Sequence, residues 1–277
     1  MKSHAAHDKV FVGEHYTLHH ALARALRWTS EASPAYVVLL LLGGTLRWRA
    51  GGGGGELQGP AALLSAPGDS VAASGASAET LSLSIAPAYV LDCALRSRLT
   101  RDDALVAFTR ADVRDERLAL LARDIVEELR DAETGQGLVV AALVEQLVVR
   151  LLRRHAKVRR AGGLELTRAG LVDRRVRRAV EMMHAHMERE LPLEELASAA
   201  YLSPFHFARL FKKVTGAPPH AYLAALRIEH ARTLLATTDL SVTDIATRVG
   251  YSSSSHFAKA FRQSNGLTPR AFRAALV

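Results

Sequence analysis

Residues 193–219 read LEELASAAYLSPFHFARLFKKVTGAPP, and residues 242–269 read VTDIATRVGYSSSSHFAKAFRQSNGLTP. Two positions in each first helix recur at an offset of 49, where Leu196 and Ala197 match Ile245 and Ala246. Later positions recur at an offset of 50, where His206, Phe207, Phe211, Gly216 and Pro219 match His256, Phe257, Phe261, Gly266 and Pro269. The second copy therefore has one extra residue, inside a short turn. The repeat predicts two helix-turn-helix units on one chain.

The net positive charge of the chain lies in the part that carries this repeat. Residues 173–277 contain 15 Lys and Arg against 9 Asp and Glu, and residues 156–172 contain 4 against 1. Residues 1–155 are balanced, with 17 against 18. A basic surface beside two helix-turn-helix units favours a polyanionic partner, and duplex DNA is the partner we expect.

Bulk composition favours a two-domain cytoplasmic protein. A length of 277 residues fits about two domains, and a hydrophobic content of 49% is enough for packed cores. The single cysteine, Cys93, excludes an intrachain disulfide and fits a reducing compartment, with a buried, inert thiol. The apolar run at 36–42 is far shorter than the roughly 20 residues that a membrane span needs. The N-terminus has no apolar core of signal-peptide type.

The first hundred residues are typical of short β-strands. The apolar run at 36–42 ends at two glycines, and residues 81–85 alternate with a period of two. The five glycines at 51–55 predict a hairpin loop without fixed shape, and the turn residues at 67–69 predict another strand boundary. Several short strands separated by turns predict a small barrel or sandwich.

Two amphipathic helices follow the strands. Apolar residues recur at helical spacing in two stretches: Leu118, Leu121, Ile125, Val126 and Leu129, then Leu138, Ala142, Leu143, Leu147, Leu151 and Leu152. The stripes fit equally a pair of helices that covers the barrel and a helix that forms a dimer interface.

Residues 156–172, AKVRRAGGLELTRAGLV, are predicted to be a basic linker, and everything after Asp173 is predicted to be helical. The predicted organisation is therefore α+β: a β-barrel domain with two helices at 1–155, the linker, and an all-α domain at 173–277.

The third helix of the C-terminal domain has the features of a recognition helix. Ser203 is predicted to cap it by accepting from backbone N–H groups, with Pro204 at the first helical position. Phe207, Leu210 and Phe211 form its buried side. The opposite side presents Phe205, Ala208, Arg209 and Lys212, as a helix in a major groove would.

A long helix, predicted at 220–237, joins the two units. At 1.5 Å per residue it spans roughly 27 Å, close to the roughly 34 Å of one turn of B-DNA. It therefore has the right length to hold two recognition helices in successive major grooves.

The C-terminal 100 residues resemble the DNA-binding domain of AraC/XylS-type transcription regulators. The resemblance rests on these residues in order: Leu193, Leu196, Ala197, Ser203, Phe207, Arg209, Phe211, Lys212, Lys213, Gly216, Pro219, Arg227, Ala231, Leu234, Leu235, Asp244, Ile245, Ala246, Gly250, Tyr251, Phe257, Phe261, Gly266, Pro269 and Phe272. Two residues depart from the pattern, since Tyr251 replaces the usual Phe and Lys259 the usual Arg. Lys lacks the bidentate fork that reads guanine.

Arg209 is the first candidate for a base contact, by its exposed position and by the resemblance. Phe205 fits contact with a thymine methyl group or packing on its own helix, and Ala208 offers a methyl contact. In the second unit, Ser254, Ser255 and His256 are candidates for base or phosphate contacts, although the serines fit a capping role equally well. Phosphate contacts are expected from Lys212, Lys213, Lys259 and Arg262. Ser203 and His206 complete the candidate set.

The N-terminal half is similar to the cupin-type sensor of the same family, in its order of strands, helices and basic linker. The resemblance implies that this half binds a small effector or forms a homodimer. It also implies promoter DNA and RNA polymerase as partners, and it implies no cofactor. A constitutive regulator whose N-terminal half only dimerises or binds a protein is the alternative.

Catalysis and metal binding are not expected. No phosphate-binding loop precedes a helix, because the glycines at 51–55 lack the lysine that such a loop needs. His184 and His186 diverge by about 200° on a helix and cannot easily share an ion. His15, His19 and His20 precede the predicted barrel and would approach one another only in a helix. Trp28 and Trp48 fit a structural core better than the lining of an effector pocket.

Overall fold

The computed structural model describes residues 8–30, 33, 35–99, 104–160, 165–215 and 217–277. The chain divides into two compact units. The N-terminal unit holds most of the described residues up to Arg160, together with the last four residues of the chain. The C-terminal unit is helical and extends to Arg273. No helix in the described ranges is long and apolar enough to cross a membrane.

The N-terminal unit contains ten strands within its described residues: β1 Lys9–Val12, β2 Tyr16–Thr29, β3 Tyr36–Gly43, β4 Thr45–Ala50, β5 Gly53–Gln58, β6 Ala61–Ser65, β7 Val71–Ile85, β8 Ala104–Phe108, β9 Asp112–Val113 and β10 Ala156–Arg160. Its helices are α1 Pro87–Arg96, α2 Glu116–Asp131 and α3 Gln136–Arg154. Eight strands form one sheet in the order β1-β2-β7-β3-β6-β9, with the β4–β5 hairpin also joined to β7, and β8 pairs with β10.

The predicted α+β fold class is confirmed, with a β-rich unit before a helical one, but the large sheet is open and does not close into a barrel. Its edges, β1 and β9, do not pair with each other in the described part of the chain. The sheet branches at β7, which pairs with β2 on one side and with β3 and then β4 on the other. The step from β3 to β4 occurs at Gly44, which has φ +93°, and a Cβ there would lie 2.4 Å from the carbonyl oxygen of Ser77. The backbones approach so closely at this point that only glycine fits.

Apolar side chains pack on both faces of the central strands. Leu40 belongs to the cluster on the face covered by the three helices, and Leu39 to the cluster on the opposite face. Trp28 and Trp48 pack against that second cluster, which confirms their structural role. The void between β3, β6 and α2 measures about 10 Å³, room for one water at most.

The α2 and α3 helices cover the sheet. In α2 the buried stripe is the predicted one, from Leu118 to Leu129. In α3 the stripe differs from the prediction, because Val140, Val144 and Val148 are buried whereas Leu138 is 81% exposed. The valines of α3, which also recur at helical spacing, were not included in the predicted stripe. The dimer-interface alternative stays a prediction.

Three other segments differ from the sequence-based expectations. Residues 156–160 of the predicted linker form β10, and residues 165–172 lie in a helix; residues 161–164 lie outside the described ranges. The glycines at 53–55 belong to β5, which leaves a two-residue hairpin loop. The segment after His15 is not the helix in which His15 and His19 could meet, because the chain is extended from Tyr16 to Thr29.

The C-terminal unit consists of seven helices in its described residues: α4 Glu165–Ala185, α5 Leu193–Ala199, α6 Pro204–Thr215, α7 Pro219–Thr237, α8 Val242–Arg248, α9 Ser254–Asn265 and α10 Pro269–Ala274. Helix α7 contacts α6 and also α8 and α9. Its 19 residues correspond to about 28 Å. This unit has the helix order predicted from the repeat.

Candidate nucleic-acid interface

The sequence repeat is also a structural repeat. Phe207 and Phe211 in α6 have ring centroids 5.3 Å apart with an interplanar angle of 57°. Phe257 and Phe261 in α9 repeat this contact at 5.7 Å and 59°. All four rings are fully buried. The two units therefore seat α6 and α9 on their cores in the same way, and each helix exposes the corresponding face.

The turns inside the two units are also equivalent. The backbone N–H of Leu202 donates to the carbonyl of Ala197 at 2.9 Å, and that of Tyr251 donates to Ala246 at the same distance. Both turns pass through a left-handed residue: Tyr201 with φ +54° and Gly250 with φ +83°. The extra residue of the second unit follows this turn, before α9 begins.

Ser203 does not make the predicted capping bond, and the cap of α9 is neither of the two alternatives, Ser254 and Ser255. Ser203 pairs through Oγ with the ring Nδ1 of His206 at 2.9 Å, rather than with a backbone N–H. In the second unit Ser253 is the N-cap residue, and its Oγ accepts from the backbone N–H of His256. Ser254 and Ser255 follow the cap and are exposed in the first turn of α9. The repeat would have indicated this cap, because Ser253 lies 50 residues after Ser203 and so occupies the equivalent position.

The predicted recognition faces point to solvent. On α6, Phe205 is 74% exposed, its ring contacts His206 edge-on, and Arg209 is exposed beside half-buried Ala208. The other exposed candidates are Lys212, His256, Lys259 and Arg262. The side chain of Lys213 lies outside the described part of the chain. Every described candidate is thus partly or fully accessible to a partner.

A contact between an arginine and an aromatic ring on the first unit was not anticipated from the sequence. Tyr201 is 74% exposed, and the guanidinium of Arg178 on α4 lies 5.3 Å from the centre of its ring. This contact is a cation–π interaction at the surface. It places a further cation and a phenol hydroxyl next to the start of α6. Tyr201 corresponds to Gly250 in the repeat, so a large aromatic residue stands at a left-handed position where the second unit has glycine.

Helix α7 is fixed to both recognition helices by specific contacts. Tyr222 packs edge-on against Phe211 of α6 at 5.4 Å. Arg232, which is 8% exposed, donates from Nε to the side-chain oxygen of Asn265 at the end of α9. These contacts make α7 a stiff connection between the two units.

Arg227, at the middle of α7, ties α4 to the turn of the second unit. It donates from Nε to the carbonyl of Met187 and from a terminal nitrogen to the carbonyl of Arg189. Its guanidinium also lies 5.9 Å from the ring centre of Tyr251. Burial lowers the pKa of Arg227 and raises the pKa of Tyr251. A half-buried guanidinium that donates to two backbone carbonyls serves to position the helices.

Known proteins resemble this chain mainly in the helical unit. A family model described as a helix-turn-helix domain matches residues 196–275. The regulatory protein PocR of Salmonella typhimurium is 41% identical over 80 residues, which cover 29% of this chain and 26% of PocR. The transcriptional activator RhaS of an Enterobacter species is 34% identical over 132 residues, which cover 47% of this chain and 45% of RhaS. The chain thus matches less than half the length of these relatives.

A similarity of fold extends over both units. The crystal structure of ToxT from Vibrio cholerae covers 95% of this chain and 99% of ToxT, with a TM-score of 0.61 and 10% identity. At that identity the likeness concerns the fold alone. The duplicated helix-turn-helix motif, by contrast, is matched by sequence. Residues 196–275 of this chain thus form a helix-turn-helix domain that is similar in sequence to part of the regulators PocR and RhaS.

Proposed function

We propose that this protein is a cytoplasmic, sequence-specific transcription regulator that reads two successive major grooves of promoter DNA with α6 and α9. The observation that carries the proposal is the repeated geometry of the two units around α7. A connection of about 28 Å is close to one helical turn of B-DNA, about 34 Å. RNA polymerase is the expected protein partner at the promoter.

Each unit supplies a different kind of contact in this proposal. Arg209 reads a base edge, with Phe205 and Ala208 beside it as apolar contacts. In the second unit Lys259 and Arg262 bind phosphate, and the short side chains of Ser254 and Ser255 allow the helix to approach the groove closely. Phosphate contacts fix the register of the protein but carry little sequence information. The first unit is therefore expected to contribute more specificity.

Selection from a random duplex library with the purified full chain tests this proposal. Binding of the selected sequence should exceed binding of a scrambled duplex at least a thousandfold at physiological salt, and should weaken steeply as salt rises. Equal affinity for selected and scrambled duplexes would overturn sequence-specific regulation.

The N-terminal unit is proposed to control this activity, either as an effector sensor or as a constitutive dimerisation or protein-binding domain. The void between β3, β6 and α2, about 10 Å³, is too small to hold a metabolite. Sedimentation of the full chain, with and without DNA, measures the dimerisation part of this proposal.

A further inference from the structure

The N-terminal unit carries an open cleft of about 480 Å³ between the start of α2 and the end of α3. Its charged lining includes Arg114, Asp115, Glu116, Arg117, Arg150 and Arg154. The cleft is shallow and largely open to solvent, so a ligand would be held by its charged lining rather than by enclosure.

Asp115 is held in the cleft by several hydrogen bonds. Arg150 donates to both of its carboxylate oxygens, at 2.9 and 3.1 Å, and His155 pairs with it at 2.8 Å. The backbone N–H groups of Arg117 and Leu118 donate to the same carboxylate. Burial alone would raise the pKa of Asp115, but the hydrogen bonds from Arg150 and His155 lower it to about 2. The carboxylate is thus saturated with donors and holds Arg150 in place.

The remaining cations of the cleft have no partner. The guanidinium groups of Arg114, Arg117 and Arg154 are exposed, and within the described residues no hydrogen bond or ion pair joins them to an acceptor. Four arginines face two carboxylates, so the lining has an excess of two positive charges. Guanidinium forks match the oxygen pairs of carboxylates and phosphates.

We propose that this arginine cleft binds a small polyanion with at least two negative charges, a di- or tricarboxylate or a phosphorylated metabolite. Arg117 and Arg154 approach the ligand from the two sides, and the Asp115–Arg150 pair forms the floor. The carboxylates of Asp115 and Glu116 in the lining disfavour the continuous phosphate backbone of a nucleic acid. Such a ligand would be the effector of the N-terminal unit. Its role as an effector rests on the proposed function, whereas binding itself does not.

Calorimetric titration of the full chain with citrate and with pyrophosphate, at constant ionic strength and without DNA, tests the proposal. At least one anion should bind saturably with a dissociation constant below about 1 mM. The Arg117→Gln/Arg154→Gln double variant should bind at least tenfold more weakly. Arg123→Gln should bind like the wild type, because Arg123 is an exposed arginine of α2 outside the cleft. Preference for citrate or for pyrophosphate identifies the ligand chemistry.

The proposal is overturned if neither anion binds saturably, or if the double variant binds as tightly as the wild type. Circular dichroism of both variants verifies that they fold. Affinity for the selected DNA is measured in parallel: loss of DNA binding in the double variant without anion binding assigns the cleft to DNA and also overturns the proposal. Anion binding by a chain that binds no specific DNA leaves the cleft intact and contradicts only the regulator function.

Discussion

Arg227 donates from Nε to the backbone carbonyl of Met187 at 2.8 Å, and so joins the middle of α7 to the segment after α4. A second bond to the carbonyl of Arg189 and the cation–π contact with Tyr251 complete the set. One side chain thereby holds three segments of the C-terminal unit in register.

Replacing Arg227 with Met should lower the free energy of unfolding of the C-terminal unit by about 2 kcal/mol, because its charged hydrogen bonds to the carbonyls of Met187 and Arg189 are lost. Hydrogen exchange of peptides from α8, followed by mass spectrometry, measures the change. Arg270→Met is the matched control: Arg270 is exposed on α10, so its loss should stay within about 0.5 kcal/mol. Equal exchange rates in the two variants would show that Arg227 is dispensable.

Gly250 should tolerate alanine less well than Gly266 does. Both have positive φ, +83° and +75°, so each substitution carries the backbone cost of about 1 kcal/mol. At Gly250 the new Cβ would also lie 2.3 Å from the carbonyl oxygen of Met187, whereas at Gly266 it meets nothing within 4 Å. Thermal unfolding followed at 222 nm should therefore show a larger loss for Gly250→Ala. The same loss in both variants would mean that close packing at Gly250 does not matter.

Asp115 gives the N-terminal unit an acid-sensitive contribution to stability. Its folded pKa, about 2, lies below the ordinary value of 3.8, so this contribution is present above pH 4 and is lost as the pH falls towards 2. Asp115→Asn should cost about 2 kcal/mol at neutral pH, and the difference from wild type should shrink across that acidic range. Both tryptophans, Trp28 and Trp48, lie in this unit, so their fluorescence during urea unfolding reports on it selectively.

Asp124→Asn is the control for this measurement, because Asp124 is exposed on α2 and takes no part in the network. If the difference in free energy of unfolding between Asp115→Asn and wild type stays constant down to pH 2, the lowered pKa of Asp115 is contradicted.

The repeat was predictable because its signals are local. Each unit carries its own buried aromatic pair, its own turn and its own cap, all within about 25 residues. The same positions then packed as expected in both copies, for example Phe207 and Phe257. The exception was the cap, where Ser203 pairs with a neighbouring ring instead of a backbone N–H.

The N-terminal unit was less predictable because its decisive pairings are distant in sequence. Strand β10 lies in a basic stretch and forms only because Ala156 pairs with Phe108 of β8. Strand β2 contains good helix formers such as Leu22 and Ala25, and pairing with β7 over most of its length overrides that preference. The Asp115–Arg150–His155 network joins residues up to 40 apart, and no local spacing marks it.

The two recognition helices should respond differently to mutation. Arg209→Ala should weaken binding of the selected DNA by about 1–3 kcal/mol and relax the preference at one base position. Lys259→Ala should weaken binding about equally on all sequences and reduce the salt dependence by about one counterion. Fluorescence anisotropy on the selected duplex and its single-base variants, at several salt concentrations, measures both effects. Reversed sensitivities would assign base reading to α9.

Methylation interference at guanine N7 is the most direct test of whether α6 and α9 bind in two successive major grooves. On the selected duplex, methylation should block binding in two major-groove segments whose centres lie about 10–10.5 base pairs apart on one face of the DNA. Arg209→Ala should remove interference in one segment only. A single segment, or two segments on opposite faces of the duplex, would contradict reading of successive major grooves by α6 and α9.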